Sequence, residues 1–416
     1  MAHDLTFGPA RRVAGLLPQE LADRVELLAA LGSHLNAHQD ALVAAAGADI
    51  GTPCTVAAIE ITLAAAHLQT MVEEVPDVLG KSPYGTVAAI FPYDAAPVML
   101  ARVGGAAVLG GNVFRCSFSS QTPRTAALLA DLLAPWPVFQ PNLYLDNRAF
   151  GAACVADPSV QVLFISGGGE VGSLYAAQAE SFAKLFFAGP SGMPAAIVGA
   201  DATIETAARY VTRRAFINAG QYCTTIKKAY VAEAVYEQFR SALLDMLPEI
   251  KVGDPQDPEV WIGPIKVART RRLLEAACNR LESPKFITPV DLSGDLVHPI
   301  VCEVEAVPDL EMFGPFLALI KVRDATEGIN RALHTRYPFA VSLFGAAPPA
   351  AVTRLQQTFG MVYLNPDFTF TPLRLPFGGK KDSGWIMEKQ PGRLIRRDGA
   401  FRYSAELVRP EPVAGR

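Results

Sequence analysis

The sequence predicts an α/β protein with two units, each built on a mostly parallel, doubly wound sheet. Short apolar runs bounded by glycine or proline alternate with stretches that have the three-to-four-residue period of a helix. This alternation begins near residue 86 and starts again near residue 191, and no internal repeat is evident. A chain of 416 residues has room for two or three domains, at about 100–200 residues per domain.

The first unit opens with two predicted helices, at residues 18–48 and 56–75, where apolar side chains recur every three or four positions. The strands predicted after them are short apolar runs, which is typical of strands buried on both faces. These strands are expected at 86–91, 112–115, 142–145 and 160–165, with helices at 122–133 and 171–183.

The second unit repeats the alternation with different lengths. Its predicted strands are at 195–198, 228–231, 314–322, 340–344 and 360–364, and its predicted helices are at 204–216, 235–246 and 267–281. Residues 400–408 alternate between apolar and polar side chains, as an edge strand does.

Composition excludes several classes of protein. Half of the residues are hydrophobic and 19% are charged, so a long disordered tail is not expected. The 37 basic and 41 acidic side chains give a formal charge of −4 without a run of like charges, which argues against nucleic-acid or membrane-surface partners. Charged side chains interrupt residues 1–12, so no signal peptide is expected. Asp94 and Arg102 break the apolar tract 86–114, so no transmembrane span is expected.

The six cysteines form no Cys-x-x-Cys pair and no zinc-ligand spacing. So few cysteines suit a reducing compartment, and we expect a cytoplasmic protein. His34 and His38 share one helix face, but two histidines rarely bind a metal by themselves, so no metal is assigned.

A glycine-rich turn follows the predicted strand 160–165. Gly167, Gly169 and Gly172 have the G-x-G-x-x-G spacing, which lets backbone N–H groups approach a pyrophosphate at a helix N-terminus. The acidic residue that usually follows about 20 positions later is absent here. The motif therefore fits either a phosphate site or a tight strand-to-helix turn.

Cys223 is the most informative cysteine. It lies between a predicted helix and a predicted strand, with Gly220, Gln221, Thr224 and Thr225 as small or polar neighbours. Such neighbours favour an accessible thiol, although a buried structural cysteine fits as well. No histidine is near in sequence, so a Cys–His pair is not predicted.

Two further segments resemble ordinary turns when taken alone: Glu311 to Phe316, and the glycine-dense loop 376–384 preceded by Asn365. The aromatic residues Phe216, Tyr222, Phe368 and Phe370 either line a tunnel or pack in a core.

Taken together and in order, these segments resemble the aldehyde dehydrogenase superfamily. Residues 216–223 match its Phe-x-Asn-x-Gly-Gln-x-Cys nucleophile motif. The other matching segments are 85–94 with a Pro-Tyr-Asp turn, 111–115, 164–172, 311–315, and Asn365 with 376–384.

The resemblance implies an NAD(P)-binding domain of Rossmann type over residues 1–190 and an α/β catalytic domain over 191–386. It also implies a tail over 387–416 with a candidate oligomerisation strand. NAD or NADP is then expected to contact Phe91, Pro92, Arg115, Ser117, Phe118, Ser166, Gly167, Gly169, Gly172, Glu311 and Phe313. Cys223 is expected to attack an aldehyde, pass through a thiohemiacetal and hold the resulting thioester, with its backbone N–H stabilising the oxyanion.

Three departures from the family pattern affect the chemistry. The glutamate that activates the hydrolytic water falls at Gly189, and residues 182–200 contain no carboxylate. Glu388 is a candidate substitute base. Asp94 replaces the oxyanion asparagine, and an ionised carboxylate there would repel the oxyanion.

The third departure concerns the adenosine ribose. Phe118 replaces the ribose-binding glutamate and Arg115 the lysine, which removes a repulsion against a 2′-phosphate and leaves the choice between NAD and NADP open.

Three functions therefore stay open. The first is NAD(P)-dependent oxidation of an aldehyde through Cys223. The second is an acylating enzyme in which CoA or a carrier-protein thiol takes the acyl group, since residues 188–194 resemble that branch. The third is a silent family member that serves as a scaffold or binding subunit. The aldehyde itself is not predicted, and a homodimer is expected by family analogy alone.

Overall fold

This computed structural model describes residues 17–144, 146–167, 169–181, 184–189, 191–390 and 393–409, and in them two seven-stranded sheets form the framework. The strands in chain order are β1 Ser82–Pro83, β2 Thr86–Ile90, β3 Val113–Ser117, β4 Phe139–Pro141, β5 Val160–Ile165, β6 Leu185–Ala188, β7 Ala195–Val198, β8 Lys228–Ala232, β9 Lys251–Val252, β10 Val260–Ile262, β11 Lys285–Phe286, β12 Ile300–Glu303, β13 Phe316–Val322, β14 Ala340–Phe344, β15 Met361–Leu364, β16 Trp385–Gln390, β17 Arg393–Arg397 and β18 Val408–Arg409.

The helices cover the faces of the sheets. The α-helices are Gln19–Ala37, Gln39–Ile50, Cys54–Gln69, Val75–Val78, Ala96–Met99, Gly105–Leu109, Pro123–Leu133, Asn147–Ala156, Gly169–Ser181, Ile204–Phe216, Tyr236–Met246, Ala268–Asn279, Ala325–Ala332, Pro349–Thr358 and Tyr403–Glu406. A π-helical turn, Leu100–Gly104, joins two of them, and 3₁₀ turns lie at Met71–Glu74, Ile217–Gly220, Glu233–Val235, Leu247–Glu249 and Lys381–Ser383.

The first sheet has the strand order β17-β16-β6-β5-β2-β3-β4. From β6 to β4 all neighbours are parallel, while β16 pairs antiparallel with both β6 and β17. The central strands are apolar runs that are buried on both faces, as expected of parallel strands covered by helices. Because β16 and β17 complete this sheet, chain segments from both ends of the sequence build one unit.

The second sheet has the order β11-β12-β13-β8-β7-β14-β15, in which only the β11–β12 pair is antiparallel. Most of its buried strand residues pack in a hydrophobic core of their own, while Ala340 of β14 and Met361 of β15 join a core of the first sheet. The predicted α/β class with two mostly parallel sheets is confirmed.

Several predicted elements need correction. The strand expected at 142–145 lies earlier, at Phe139–Pro141, since Phe139 is buried whereas Leu143 and Tyr144 are exposed; Leu145 lies outside the described residues. Residues 400–408 do not form one edge strand. They contain the short helix Tyr403–Glu406, and β18 begins two residues after it, at Val408. The first predicted helix is two helices that meet at His38.

Within the described residues no single helix is long and apolar enough to cross a membrane. A pair bent by 57°, Cys54–Gln69 with Met71–Val78, passes the same test by length and composition.

Candidate active site

A cavity of about 560 Å³ lies where the carboxyl ends of β2 and β5 meet loops of the second sheet. Ligands of open α/β sheets bind at this edge, outside the carboxyl ends of the strands. The predicted site residues that line the cavity come from four separate segments. They are Phe91, Pro92 and Asp94, then Ser166 and Gly167, then Cys223, then Glu311 and Phe313.

Cys223 lies partly buried in the cavity wall, on the loop after the helix Ile204–Phe216. That loop has unusual backbone geometry, because Asn218 and Ala219 have φ angles of 49° and 53°. Left-handed conformations at such residues cost about 1–3 kcal/mol each and persist only where the surroundings fix them. The fold thus holds the thiol in place at some cost in stability.

Lys227 supplies part of that fixation. Its Nζ is fully buried and donates to the carbonyl oxygens of Gly220, at 2.9 Å, and Gly314, at 2.6 Å. The Gly314 N–H also donates to the Gly220 carbonyl at 3.1 Å. These bonds join the cysteine loop to the loop that carries Phe313, so both walls of the cavity keep a fixed spacing.

We expect Lys227→Met to lower the free energy of unfolding by about 1–3 kcal/mol, since two buried hydrogen bonds from a charged donor are lost while the Gly220 and Gly314 carbonyls each keep a backbone N–H donor. We also expect a lower kcat for the aldehyde oxidation that the family resemblance implies, because the side-chain bridge between the two loops is lost. Urea unfolding and steady-state kinetics measure both effects. Lys228→Met is the matched control, because Lys228 is also buried but the contact found for its Nζ among the described residues is the Met193 sulfur, at 4.0 Å. Equal losses in the two variants would contradict the linkage.

The charges around Cys223 have opposing effects on it. Burial is the largest cause that raises the pKa of the thiol well above its usual range, and Asp94 raises it further. Arg214 and Arg102 lower the pKa, and Glu311 raises it again. The thiol is therefore protonated at neutral pH in the protein alone, so a reaction through the thiolate needs a proton acceptor or a cationic ligand.

Asp94 follows β2 and lies in the cavity wall. Burial is the main reason that its pKa is raised to about 7, with Glu311 adding to the effect and its own backbone N–H and Arg269 opposing it. The carboxyl is therefore divided between its neutral and ionised forms near neutral pH.

Position 189 cannot hold the glutamate that the family pattern places there. Gly189 has a φ of 114°, and a Cβ atom there would lie 2.8 Å from the Gly384 Cα and 3.0 Å from the Ser383 carbonyl oxygen. The two glycine-containing segments are packed too closely for any side chain.

We therefore expect Gly189→Glu to destabilise the fold by at least about 2 kcal/mol, from overpacking and from backbone strain. Urea unfolding measures the change. Gly294→Glu is the control, since a Cβ atom at Gly294 meets nothing within 4 Å. A Gly189→Glu variant as stable as the wild type would show that the two segments separate easily.

Glu388 is a correction to the predicted site. It lies on β16, where Gln390 donates to its carboxylate, and it acts on Tyr84 and Arg397 instead of on the cavity residues. It is not among the described residues that line the cavity, and β16 is next to the outer strand of the sheet. Glu388 therefore lies outside the cavity that contains Cys223, and this position does not support it as a substitute base.

Five of the residues predicted to bind a dinucleotide also lie outside the cavity lining, and three of them, Arg115, Ser117 and Phe118, lie on or directly after β3. The Arg115 guanidinium pairs with Asp157, with 2.5 Å between Nη1 and Oδ2. A hydrogen bond from the Ser159 side chain is the largest cause that lowers the pKa of the Asp157 carboxyl to about 2, and the hydrogen bond from Arg115 is the next. The Ser117 hydroxyl is hydrogen-bonded to Asn147 and Asn142. Phe118 is buried in the core under Phe91. Strand alternation explains why Arg115 and Ser117 are outside the lining. Side chains within β3 point to the two faces of the sheet and not to the carboxyl-end edge where the cavity lies.

The glycine-rich turn divides into two parts. Ser166 and Gly167 line the cavity, and Gly169 is the first residue of the helix Gly169–Ser181. Gly172 instead allows that helix to pack on β6, since a Cβ there would lie 3.0 Å from the Ala188 Cβ. The buried Ser166 hydroxyl has no hydrogen-bond partner among the described residues, which fits a ligand with polar oxygens at this position.

The sequence did not point to several residues that the cavity brings together. These are Glu60, Arg102, Asn147, Arg148, Tyr175, Arg214, Arg269 and Arg272. An arginine inside the apolar tract 86–114 was the available signal for Arg102. Of the four aromatic residues considered for a tunnel, Tyr222 and Phe370 line the cavity, while Phe216 is buried in the core and Phe368 packs on Tyr210.

The cavity has no metal centre among its described residues. No group of three or more histidine, cysteine, aspartate or glutamate side chains in the described part of the chain could hold a metal ion.

Comparisons with known proteins agree with this geometry. The model of the aldehyde dehydrogenase family matches residues 16–394. A protein of Sinorhizobium fredii, named a probable NADP(+) succinate-semialdehyde dehydrogenase, is 30% identical over 83% of this chain and 76% of its own length. A lactaldehyde dehydrogenase of Methanococcus vannielii is 26% identical over 87% of this chain and 83% of its own.

Solved structures show the same fold. The aldehyde dehydrogenase of Brucella melitensis biovar abortus aligns with a TM-score of 0.83 at 25% identity, over 96% of this chain and 86% of that one. Lactaldehyde dehydrogenase from Escherichia coli aligns with a TM-score of 0.83 at 21% identity, over 96% and 87% of the two chains. With Cys223 in a strand-edge cavity, and with the family model matching most of its length, this chain belongs to the aldehyde dehydrogenase family.

Proposed function

We propose that this protein oxidises a small aldehyde that carries a carboxylate, with NAD or NADP as hydride acceptor and Cys223 as nucleophile. The observation that carries the proposal is Arg102, a buried arginine that lines the same cavity as Cys223. Its Nε and Nη1 have no hydrogen-bond partner among the described residues.

Arg102 calls for an anionic partner on physical grounds. A buried charge without a partner costs several kcal/mol, so such groups are retained where a ligand pairs with them. The contact found for its guanidinium is the ring of Phe377, whose centroid is 4.1 Å from Cζ. Burial lowers its pKa, but an arginine side chain keeps its charge at neutral pH. A substrate carboxylate would supply an acceptor that the described residues do not give this guanidinium.

Arg214 increases the positive potential of this wall. It is buried, donates to the carbonyl oxygens of Thr369 and Thr224 at 2.8 and 2.9 Å, and leaves its Nε without a partner among the described residues. The substrate named for the Sinorhizobium fredii relative, succinate semialdehyde, has an aldehyde and a carboxylate in one small molecule. That chemistry suits a cavity with Cys223 and two buried guanidinium groups.

The chain's own residues would act as follows. The Cys223 sulfur bonds to the aldehyde carbon, and the backbone N–H of Cys223 stabilises the oxyanion of the thiohemiacetal. Bound NAD or NADP supplies the hydride acceptor that converts this adduct into a thioester. Ser166 and Gly167 would hold the polar part of the dinucleotide, because they lie at the end of β5 and the Ser166 hydroxyl is unpaired.

A second candidate function is acyl transfer to a thiol such as CoA. It is favoured by position 189, where no side chain fits and hence the water-activating glutamate cannot be present. In that case the Cys223 thioester would be stable in water and would react when a thiol arrives.

One experiment separates these functions. The protein is mixed with succinic semialdehyde and either NAD⁺ or NADP⁺, and the absorbance of reduced cofactor is followed from the first turnover. We expect a burst, then steady turnover, and a lower KM for succinic semialdehyde than for the uncharged lactaldehyde. A burst that stalls until CoA is added would favour acyl transfer. No burst with either aldehyde would contradict the proposal and leave a binding or scaffolding subunit.

A further inference from the structure

Three carboxyl groups in the described part of the chain line the cavity: Glu60, Asp94 and Glu311. Glu311 has both oxygens engaged, since Oε1 accepts from the Ser191 hydroxyl at 2.6 Å and Oε2 pairs with Arg269 at 2.7 Å. Glu60 is 7% exposed, and its Oε1 accepts a hydrogen bond from the Tyr222 hydroxyl. Neither group is well placed to take a proton from a substrate water.

Asp94 is different. The hydrogen bond found for its carboxyl, among the described residues, comes from its own backbone N–H. Burial is the largest cause of the raised pKa of the Cys223 thiol, and Asp94 is the charged group with the largest effect on it. Among the described residues no side chain is found to donate to the Asp94 carboxyl, which lines the same cavity as the sulfur that would hold the acyl group.

We propose that the Asp94 carboxylate is the proton acceptor for the water that hydrolyses the thioester on Cys223. This inference rests on the proposed aldehyde oxidation. It resolves the conflict at position 189, since the base that hydrolysis needs is supplied from another part of the same cavity. It also gives a function to a carboxyl group where an ionised side chain would otherwise only repel the oxyanion.

The hydrolytic step balances as follows. The water oxygen bonds to the thioester carbonyl carbon while one water proton moves to Asp94. The carbon–sulfur bond then breaks and its electron pair stays on the Cys223 sulfur, which takes the proton back from Asp94. The carboxylic acid product releases its own proton to solvent, and no oxidant or reductant takes part in this step.

The pKa of Asp94 suits this role. Burial raises it to about 7, and a general base is most effective when its pKa is near the working pH. Glu311 and Arg269 act on it with opposite signs. The other titratable groups facing Asp94 are Glu60, Tyr93, Tyr222 and Cys223. Because the base must be ionised, the hydrolysis rate is expected to rise as the pH increases through about 7.

The test is Asp94→Asn with succinic semialdehyde and the better of the two cofactors. An amide keeps the shape and can donate to the oxyanion but cannot accept the proton. We expect the burst of reduced cofactor to be kept and the steady-state rate to fall by about 10²-fold or more. Mass spectrometry of the intact protein should then show an acyl group on Cys223, and the residual rate should lose its rise through neutral pH. Asp94→Glu, which keeps a proton acceptor, should hydrolyse faster than Asp94→Asn.

Asp49→Asn is the matched control, because Asp49 is also partly buried but accepts from Thr125 outside the cavity. Wild-type turnover by Asp94→Asn would overturn the inference, as would parallel loss of the burst and the steady-state rate. Accumulation of acyl-enzyme in Glu60→Gln instead would assign the base to Glu60. A wild-type protein that itself stalls until CoA is added would also overturn it, whereas a wild type without any burst would contradict the proposed function.

Discussion

Replacing Cys223 by serine is expected to reduce kcat/KM for aldehyde oxidation by at least about 10³-fold. No histidine is among the described residues that line the cavity, so none is found there to activate a hydroxyl, and a serine hydroxyl is a far weaker nucleophile than a thiolate. The substitution changes one atom at a partly buried position, so the fold and the cavity should stay intact. Steady-state kinetics and thermal unfolding, measured together, separate loss of chemistry from loss of structure.

The control for this experiment is another partly buried cysteine. Cys54 lies at the start of the helix Cys54–Gln69, away from the Cys223 cavity, so Cys54→Ser should leave the oxidation rate unchanged. A thiol-selective reagent should lose its inhibitory effect in Cys223→Ser and keep it in Cys54→Ser. Substantial oxidation by the serine variant would show that the reaction does not use a covalent thioester.

The parts of the fold that could be predicted are those where the local sequence pattern is compatible with a single kind of secondary structure. The runs at Thr86–Ile90 and Val160–Ile165 are short, apolar and bounded by turn residues, and both are buried central strands. β16, in contrast, contains Glu388, Lys389 and Gln390, which resemble a loop in sequence. It forms a strand because β6 and β17 offer it backbone partners, and that information is tertiary.

The same distinction applies to the site. The shared position of Asp94, Ser166 and Cys223 in one cavity could be predicted, because each belongs to or follows a recognisable strand or loop motif and strand ends on one sheet edge meet in space. Arg115 and Phe118 do not line the cavity, because a motif match gives the position in the sequence and not the direction of the side chain. Arg115 faces Asp157, and Phe118 faces the core.

Arg102 and Glu60 show the limit of a sequence motif. Both lie in helical segments, and each lines the cavity because of how those segments pack against the cysteine loop. Their roles depend on long-range contacts that no short motif encodes.

Arg102→Met is expected to have the second large effect, and in opposite directions on binding and on stability. A charge-assisted hydrogen bond contributes about 1.5–3 kcal/mol, so losing it should raise KM for succinic semialdehyde by about 10–100-fold. The KM for lactaldehyde, which has no carboxylate, should change little. The melting temperature of the variant should equal or exceed that of the wild type. Methionine removes a buried charge whose Nε and Nη1 have no hydrogen-bond partner among the described residues, so no group loses a hydrogen bond to them.

Arg272→Met is the comparison that separates the effect of losing a buried charge from the effect of losing an exposed one. Arg272 lines the same cavity but is exposed, so its removal should change KM by less than about threefold, as expected for a solvent-screened charge. If Arg102→Met lowered the melting temperature and affected both aldehydes equally, Arg102 would be a structural residue and the substrate would not need a carboxylate. If KM rises for succinic semialdehyde and not for lactaldehyde, while stability is kept or increased, then Arg102 is retained for substrate binding. Its buried charge then lowers the stability of the fold, which a neutral side chain would not do.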